Sequence, residues 1–147
     1  NANANANANA NANANANAAR LPIQGKAPRC RVLIVDDHPV MREGLASLLE
    51  FKEDIEVVGQ AADGPEAIAA VATLAPNVVL MDVSLGAMDG IEATSRILAA
   101  QPDINVIGLS MHLDQTIADA MRAAGAVAYL TKGGQPEALV KAIRATC

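Results

Sequence analysis

The sequence predicts an α/β domain with a single five-stranded parallel sheet, doubly wound in (βα)5 order. Three observations carry this. Short β-branched apolar runs alternate with Ala- and Leu-rich stretches of helical length. The runs Val32–Val35, Val78–Met81 and Val106–Leu109 are continuously apolar, as in strands covered on both faces. Asp, Gly and Pro stand at the junctions where helices should begin and end.

Arg31–Val35 forms the first strand, and Pro39 to about Phe51 the first helix, with Pro39 suited to its first position. Ile55–Gln60 is the second strand. Asp63 then caps a second helix, with Glu66 three residues on, the spacing of a capping box. Asn77–Met81 is the third strand. Asp89 and Glu92 repeat the cap and open a third helix that runs to about Ala100, ahead of Pro102. Ile104–Leu109 is the fourth strand. Asp114–Ala124 is the fourth helix, closed by Gly125 as a C-cap. Val127–Leu130 and Pro136–Arg144 complete the pattern.

A chain of 147 residues fits one domain. Residues 1–18 alternate strictly between Asn and Ala, and 1–19 are read as a tag or a placeholder for unassigned residues. Residues 20–29 form a linker with Pro22, Gly25 and Pro28, and 30–147 the globular domain. The net charge of −5 argues against a nucleic-acid surface on this chain alone. No apolar run approaches the roughly 18 residues of a membrane span, so a cytoplasmic location without membrane contact is expected. Cys30 and Cys147 form no CxxC and have no neighbouring His, which disfavours zinc. In a reducing compartment they are expected to be two partly buried thiols, with Cys147 on the apolar face of the last helix. The topology puts both at the end of the sheet opposite the carboxylates at its carboxyl edge.

In open α/β sheets, ligands bind at the carboxyl ends of the strands. Asp36 and Asp37 come directly after the first strand, Asp82 after the third, Ser110 after the fourth and Lys132 after the fifth. Taken singly, each has an ordinary reading: a helix cap for Asp36-Asp37, a loop carboxylate, a turn hydroxyl, a solvated lysine. Together they place three carboxylates, a hydroxyl and an ammonium on one sheet edge. Clustered carboxylates repel unless a cation joins them. Mg2+ suits such a set, because it accepts one or two carboxylates, keeps waters and binds phosphate. The combination is equipment for phosphoryl transfer.

Four motifs then resemble one family. Val35-Asp36-Asp37-His38-Pro39-Val40-Met41-Arg42-Glu43-Gly44-Leu45 looks like the opening of response-regulator receiver domains of the NarL/FixJ (LuxR-type) class. Met81-Asp82-Val83-Ser84 through Met88-Asp89-Gly90 resembles their phosphoacceptor loop. Leu109-Ser110-Met111-His112 resembles the fourth-strand switch, and Gly125 through Tyr129 to Lys132 the fifth-strand segment. The likeness runs from Arg31 to Ala145. It implies a flavodoxin-like receiver fold and a two-component phosphoacceptor, not an enzyme beyond self-phosphorylation and autodephosphorylation. Asp82 would take the phosphoryl group from a sensor histidine kinase or a donor such as acetyl phosphate. Asp37 would hold Mg2+ directly and Asp36 mainly through water, with Asp82 and the Ser84 backbone carbonyl. Lys132 and Ser110 would contact the phosphoryl oxygens, and Tyr129 would be the switch aromatic. Homodimers would form through the fourth helix, fifth strand and fifth helix, or through the first and fifth helices. The family usually continues into a DNA-binding output domain.

Departures exist. Gly86 stands where the family usually has Pro, Ala87 where it has Gly, and Gly133 where many members have Pro after the lysine, so no cis peptide is expected there. A stand-alone receiver is one alternative. A haloacid-dehalogenase-type phosphohydrolase is another, but its Asp-x-Asp pair is broken by His38. A flavodoxin-like flavin binder would need aromatic stacking partners, and this chain has one Tyr, one Phe and no Trp.

Overall fold

The computed structural model describes residues 29–147, so the Asn-Ala repeat and nearly all of the linker lie outside it. Five strands, β1 (Cys30–Val35), β2 (Ile55–Ala61), β3 (Val78–Asp82), β4 (Asn105–Ser110) and β5 (Ala128–Thr131), alternate with five helices. These are α1 (Pro39–Glu50), α2 (Gly64–Leu74), α3 (Gly90–Ala100), α4 (Gln115–Ala123) and α5 (Pro136–Thr146). The strands form one parallel sheet in the order β2-β1-β3-β4-β5.

The continuous apolar runs have the expected cause. Side chains alternate across a strand, and each of the central strands sends residues into two cores. Leu33, Val35, Val79, Met81 and Val106 pack on the face that buries Val71 of α2, Ile97 of α3 and Met121 of α4. Val32, Ile34, Val78, Leu80, Ile107 and Leu109 pack on the other, with Leu49 of α1 and Leu139, Val140 and Ile143 of α5.

The expected caps of α2 and α3 are present. Asp63 accepts from the Glu66 amide and Asp89 from the Glu92 amide, each at 2.8 Å. The glutamates differ from the capping-box expectation. Glu66 reaches back one residue further, accepting from the Ala62 amide, and Glu92 instead pairs with Arg96 at 2.8 Å. Asp114 caps α4 through the Thr116 and Ile117 amides. At the other end of α4, Ala126 N–H bonds Met121 O and Gly125 N–H bonds Arg122 O, the paired bonds of a Schellman motif.

The expectation of two free thiols is overturned: Cys30 and Cys147 form a disulfide. They are 117 residues apart in sequence, yet β1 starts and α5 ends at the same edge of the sheet. The Asn105 carboxamide donates to Thr146 O, and Arg144 pairs with Asp54, so the end of α5 is held beside the start of β1. The resulting Cα separation of 5.9 Å lies within disulfide reach. A compartment argument from composition cannot register such a distance. The placement of both sulfurs at the end opposite Asp36 follows from the strand polarity, as expected.

Candidate functional site

The carboxyl edge of the sheet gathers its polar residues through backbone register. Asp82 is still within β3 and pairs with Leu109, while Ser110 pairs with Thr131. The Val83 amide bonds Leu109 O, and the Lys132 amide bonds Ser110 O at 2.7 Å. The main chain at Asp82, Ser110 and Lys132 is therefore fixed by ladder bonds rather than left to loops.

Asp36 and Asp82 are buried, at 1% and 2% exposure. Burial of two carboxylates requires compensation, and Lys132 supplies it. Its side chain is 4% exposed, with Nζ 2.7 Å from Asp36 Oδ2 and 3.2 Å from Asp82 Oδ2. The solvated-lysine and surface-loop readings of Lys132 and Asp82 are thus excluded. Each of these carboxylate oxygens has more than one lone pair, so contact with a single ammonium leaves both with acceptor capacity. The remaining oxygens face elsewhere. Asp82 Oδ1 accepts from the Ser84 amide at 3.0 Å, and Asp36 Oδ1 from the His38 amide at 2.9 Å. Asp36 and Asp37 do not cap α1, whose N-cap is His38 and makes no side-chain cap bond.

Burial raises the Asp82 pKa above the ordinary carboxylate value, against the lowering effects of the Ser84 amide and Lys132. For Lys132, burial is the largest single influence and pulls downward. The Asp36 and Asp82 carboxylates together outweigh it, so its pKa is raised and the ammonium stays charged.

Several contributors were not evident from the sequence. The His38 imidazole lies over the acidic pair, with Nδ1 2.8 Å from Asp37 Oδ1. Arg42 donates to the Asp36 carbonyl at 2.6 Å from the first turn of α1. Gly86 has φ +71°, which proline cannot adopt and glycine tolerates, so this departure from the family pattern suits the loop's own path. Only the i+2 and i+6 spacings from Asp36 hinted at His38 and Arg42.

Ser110 and Tyr129 sit to one side. Ser110 Oγ accepts from the His112 amide at 3.4 Å, and the Tyr129 hydroxyl donates to His112 O at 3.3 Å. Tyr129 is half-buried against the core shared with α2–α4, so its hydroxyl meets the β4–α4 loop rather than the carboxylates.

The donor set suits a hard divalent ion. Ligand atoms of Asp36, Asp37, His38 and Asp82 lie within 4.8 Å of one another, and two buried carboxylate oxygens retain acceptor capacity. Lys132 contacts the Asp36 and Asp82 carboxylates with Asp37 close by, which leaves negative charge for a cation to neutralise. No helix among the described residues is long and apolar enough to cross a membrane.

Comparison with known proteins agrees with the resemblance drawn from the motifs. A family model for the response regulator receiver domain matches residues 32–144. The transcriptional regulatory protein LiaR of Bacillus subtilis (strain 168) is 43% identical over 115 residues, 78% of this chain and 54% of LiaR. The chain spans about half the length of the curated relatives it matches. A LuxR-family two-component response regulator from Aurantimonas sp. SI85-9A1 superposes with a TM-score of 0.77 at 38% identity, covering 80% of this chain and 84% of that one. The isolated REC domain of RcsB from Salmonella enterica serovar Typhimurium, solved in the presence of phosphomimetic BeF3−, gives 0.73 at 30% identity over 80% and 87%. A match over nearly the whole described chain, with relatives of this kind, means that the protein belongs to the response regulator receiver domain family, in its LuxR/NarL class.

Proposed function

We propose that the domain takes a phosphoryl group on Asp82 from the phosphohistidine of a sensor kinase, in a Mg2+-dependent step, and thereby switches a transcriptional output. The observation that carries the reading is the buried Asp82 carboxylate, with Lys132 Nζ at 3.2 Å and Asp36 and Asp37 beside it. An Asp82 carboxylate oxygen would attack phosphorus as the bond to the histidine nitrogen breaks, leaving an acyl phosphate here and a free imidazole on the donor. Lys132 would offset charge on the phosphoryl oxygens. Asp37 directly, Asp36 mainly through water, Asp82 and the Ser84 carbonyl would hold Mg2+. When bound, the ion would neutralise the remaining phosphoryl charge.

Ser110 would hydrogen-bond the phosphoryl group, a bond worth roughly 1.5–3 kcal/mol when charge-assisted. The Ser110 and Tyr129 contacts now both end on His112, so moving Ser110 inward would disturb the loop that Tyr129 holds. That would bias an existing equilibrium at the face of α4, β5 and α5. Exposed Met111, Leu113 and Val127 flank this face and suit a partner or second protomer there, with α1 and α5 as the other candidate surface. The reading also places the domain in the cytoplasm, where the Cys30–Cys147 bridge would face a reducing pool.

Intact mass after acetyl phosphate and Mg2+ tests the assignment. The wild type should gain one phosphoryl group, only with the metal, and Asp82→Asn should gain none. Labelling of that variant at the wild-type rate would remove Asp82 from the role.

A further inference from the structure

Arg42 reaches the candidate site through the main chain. Its Nη1 donates to the Asp36 carbonyl oxygen at 2.6 Å, and its own amide bonds His38 O at 3.1 Å. Both bonds close on the turn between β1 and α1, so one residue of the first helical turn ties Asp36 and His38 to the helix. The Asp36 amide is bonded separately, to Ala61 O at the end of β2, at 3.0 Å. Asp36 is 1% exposed, and a buried carbonyl needs a donor. Among the described residues, Arg42 is the donor that the Asp36 carbonyl has.

That carbonyl belongs to the peptide group joining Asp36 to Asp37. A peptide group is planar, so fixing its oxygen also fixes the direction in which the Asp37 α-carbon leaves Asp36. The strand ends at Val35, and Asp37 is exposed in the bend that follows. Neither ladder bonds nor burial therefore set the path of the chain at Asp37. Arg42 does not pair with the carboxylates themselves. The close ionic contacts of Asp36, Asp37 and Asp82 among the described residues are with His38 and Lys132. The guanidinium is thus a donor to the backbone of the site rather than a counter-ion to its carboxylates.

Resting on the reading of this pocket as a Mg2+ site, we propose that Arg42 is a positioning residue for it. By holding the Asp36–Asp37 peptide group, Arg42 sets the Asp37 carboxylate beside Asp36 and Asp82 before the ion arrives. Its charge and its hydrogen bond act on metal affinity in opposite directions. A cation near the pocket repels Mg2+, so removing the charge alone would tighten binding. Losing the hydrogen bond frees the Asp37 carboxylate and weakens binding, by about tenfold on the scale of residues that orient metal ligands from behind. The hydrogen bond prevails, because the guanidinium is only partly buried and solvent screens its charge.

The test is an NMR titration of the full 147-residue chain with Mg2+. Wild type, Arg42→Gln, Arg42→Lys and Asp37→Asn are compared. Arg96→Gln, which removes an exposed arginine paired with Glu92, controls for loss of a surface charge and should titrate like the wild type. Arg42→Gln should raise the Mg2+ concentration at half-saturation about tenfold. Arg42→Lys keeps the charge and a donor, and should fall between Arg42→Gln and the wild type. Without metal, relaxation of the Asp37 amide should show more motion in Arg42→Gln, while the amides of β1 and β3 keep their shifts. Phosphorylation by acetyl phosphate should need more Mg2+ in Arg42→Gln, yet reach the wild-type rate within about twofold at saturation. A fall in that saturating rate as large as the loss of affinity would mark a general defect and overturn the positioning role. Unchanged or tighter Mg2+ binding in Arg42→Gln, with binding still lost in Asp37→Asn, overturns the role and spares the pocket. Mg2+ binding unaffected by Asp37→Asn overturns the pocket reading itself, and the role of Arg42 with it.

Discussion

Gly90 abuts Asp82: a methyl group added at Gly90 would collide with the Asp82 carbonyl oxygen and would lie 2.8 Å from the Val83 α-carbon. The Gly90 amide also bonds Val83 O at 3.1 Å, so α3 begins directly against the end of β3. Neither obstacle is a flexible side chain.

Gly90→Ala should therefore force the β3–α3 loop apart. The expected cost is about 1–3 kcal/mol, the usual range for overpacking a close contact. Urea unfolding measures it. A loss below about 0.5 kcal/mol would show that the helix start can slide away from Asp82 freely.

Asp82→Asn should stabilise the domain in the absence of metal. Asp36 and Asp82 share the Lys132 ammonium, Asp37 lies close to them, and burial disfavours ionised Asp82. A group whose folded pKa is raised costs stability at pH values above that raised value. Asn removes the charge and keeps an oxygen for the Ser84 amide. A gain on the order of 1 kcal/mol is expected. Adding Mg2+ should raise Tm more in the wild type than in the variant, because the ion binds the folded form and loses one carboxylate there. A variant less stable than wild type without metal would mean that the Lys132 attraction outweighs the repulsion.

Reduction of Cys30–Cys147 should lower stability substantially. The bridge closes a loop spanning nearly all the described residues, with a separation of 117. Chain-entropy reasoning gives up to about 5 kcal/mol for such a loop. The denaturant midpoints of the phosphine-reduced wild type and of Cys147→Ser should agree with each other and fall below that of the oxidised wild type. Equal midpoints in all three would show that the Arg144–Asp54 pair and the helix packing already fix these ends.

The Asp54–Arg144 pair carries an acid-side prediction. Arg144 Nε donates to Asp54 Oδ2 at 2.8 Å, and this hydrogen bond holds the Asp54 carboxyl below its ordinary value. The folded value is the lower one, so the pair's contribution is present above the unfolded pKa of about 3.9 and is lost as pH falls through the folded value. Both groups are exposed, so the contribution is small and sensitive to salt. Wild type should lose slightly more stability than Asp54→Asn between about pH 5 and pH 2, with the gap closing in high salt. Parallel curves at low salt would leave the pair without a measurable role.

The fold was legible because two-faced burial leaves a direct trace: Val32 and Leu33 enter different cores, so both must be apolar. The acidic site was legible because a parallel sheet brings the residues after its strands to one edge. Strand ends were placed one residue short at β3, β4 and β5. Asp82, Ser110 and Thr131 are polar, yet their main chains remain in the ladder. Contacts set by tertiary distance left no such trace. The Cys30–Cys147 bond depends on how α5 returns over β1, and the space against Asp82 that requires Gly90 depends on where α3 starts. His38 belonged to a recognised motif, but its ring position relative to Asp37 is set by the turn into α1.

The covalent closure of the chain also determines how the domain carries force. With Cys30 joined to Cys147, tension applied between polypeptide attached at the two ends passes through the sulfur bridge and bypasses the sheet. Pulled this way in an optical trap, the oxidised domain should show no unfolding extension, whereas the reduced domain should lengthen by the contour of more than a hundred residues. Asp82 and Lys132, at the far edge of the sheet, would be mechanically shielded from whatever the domain is tethered to.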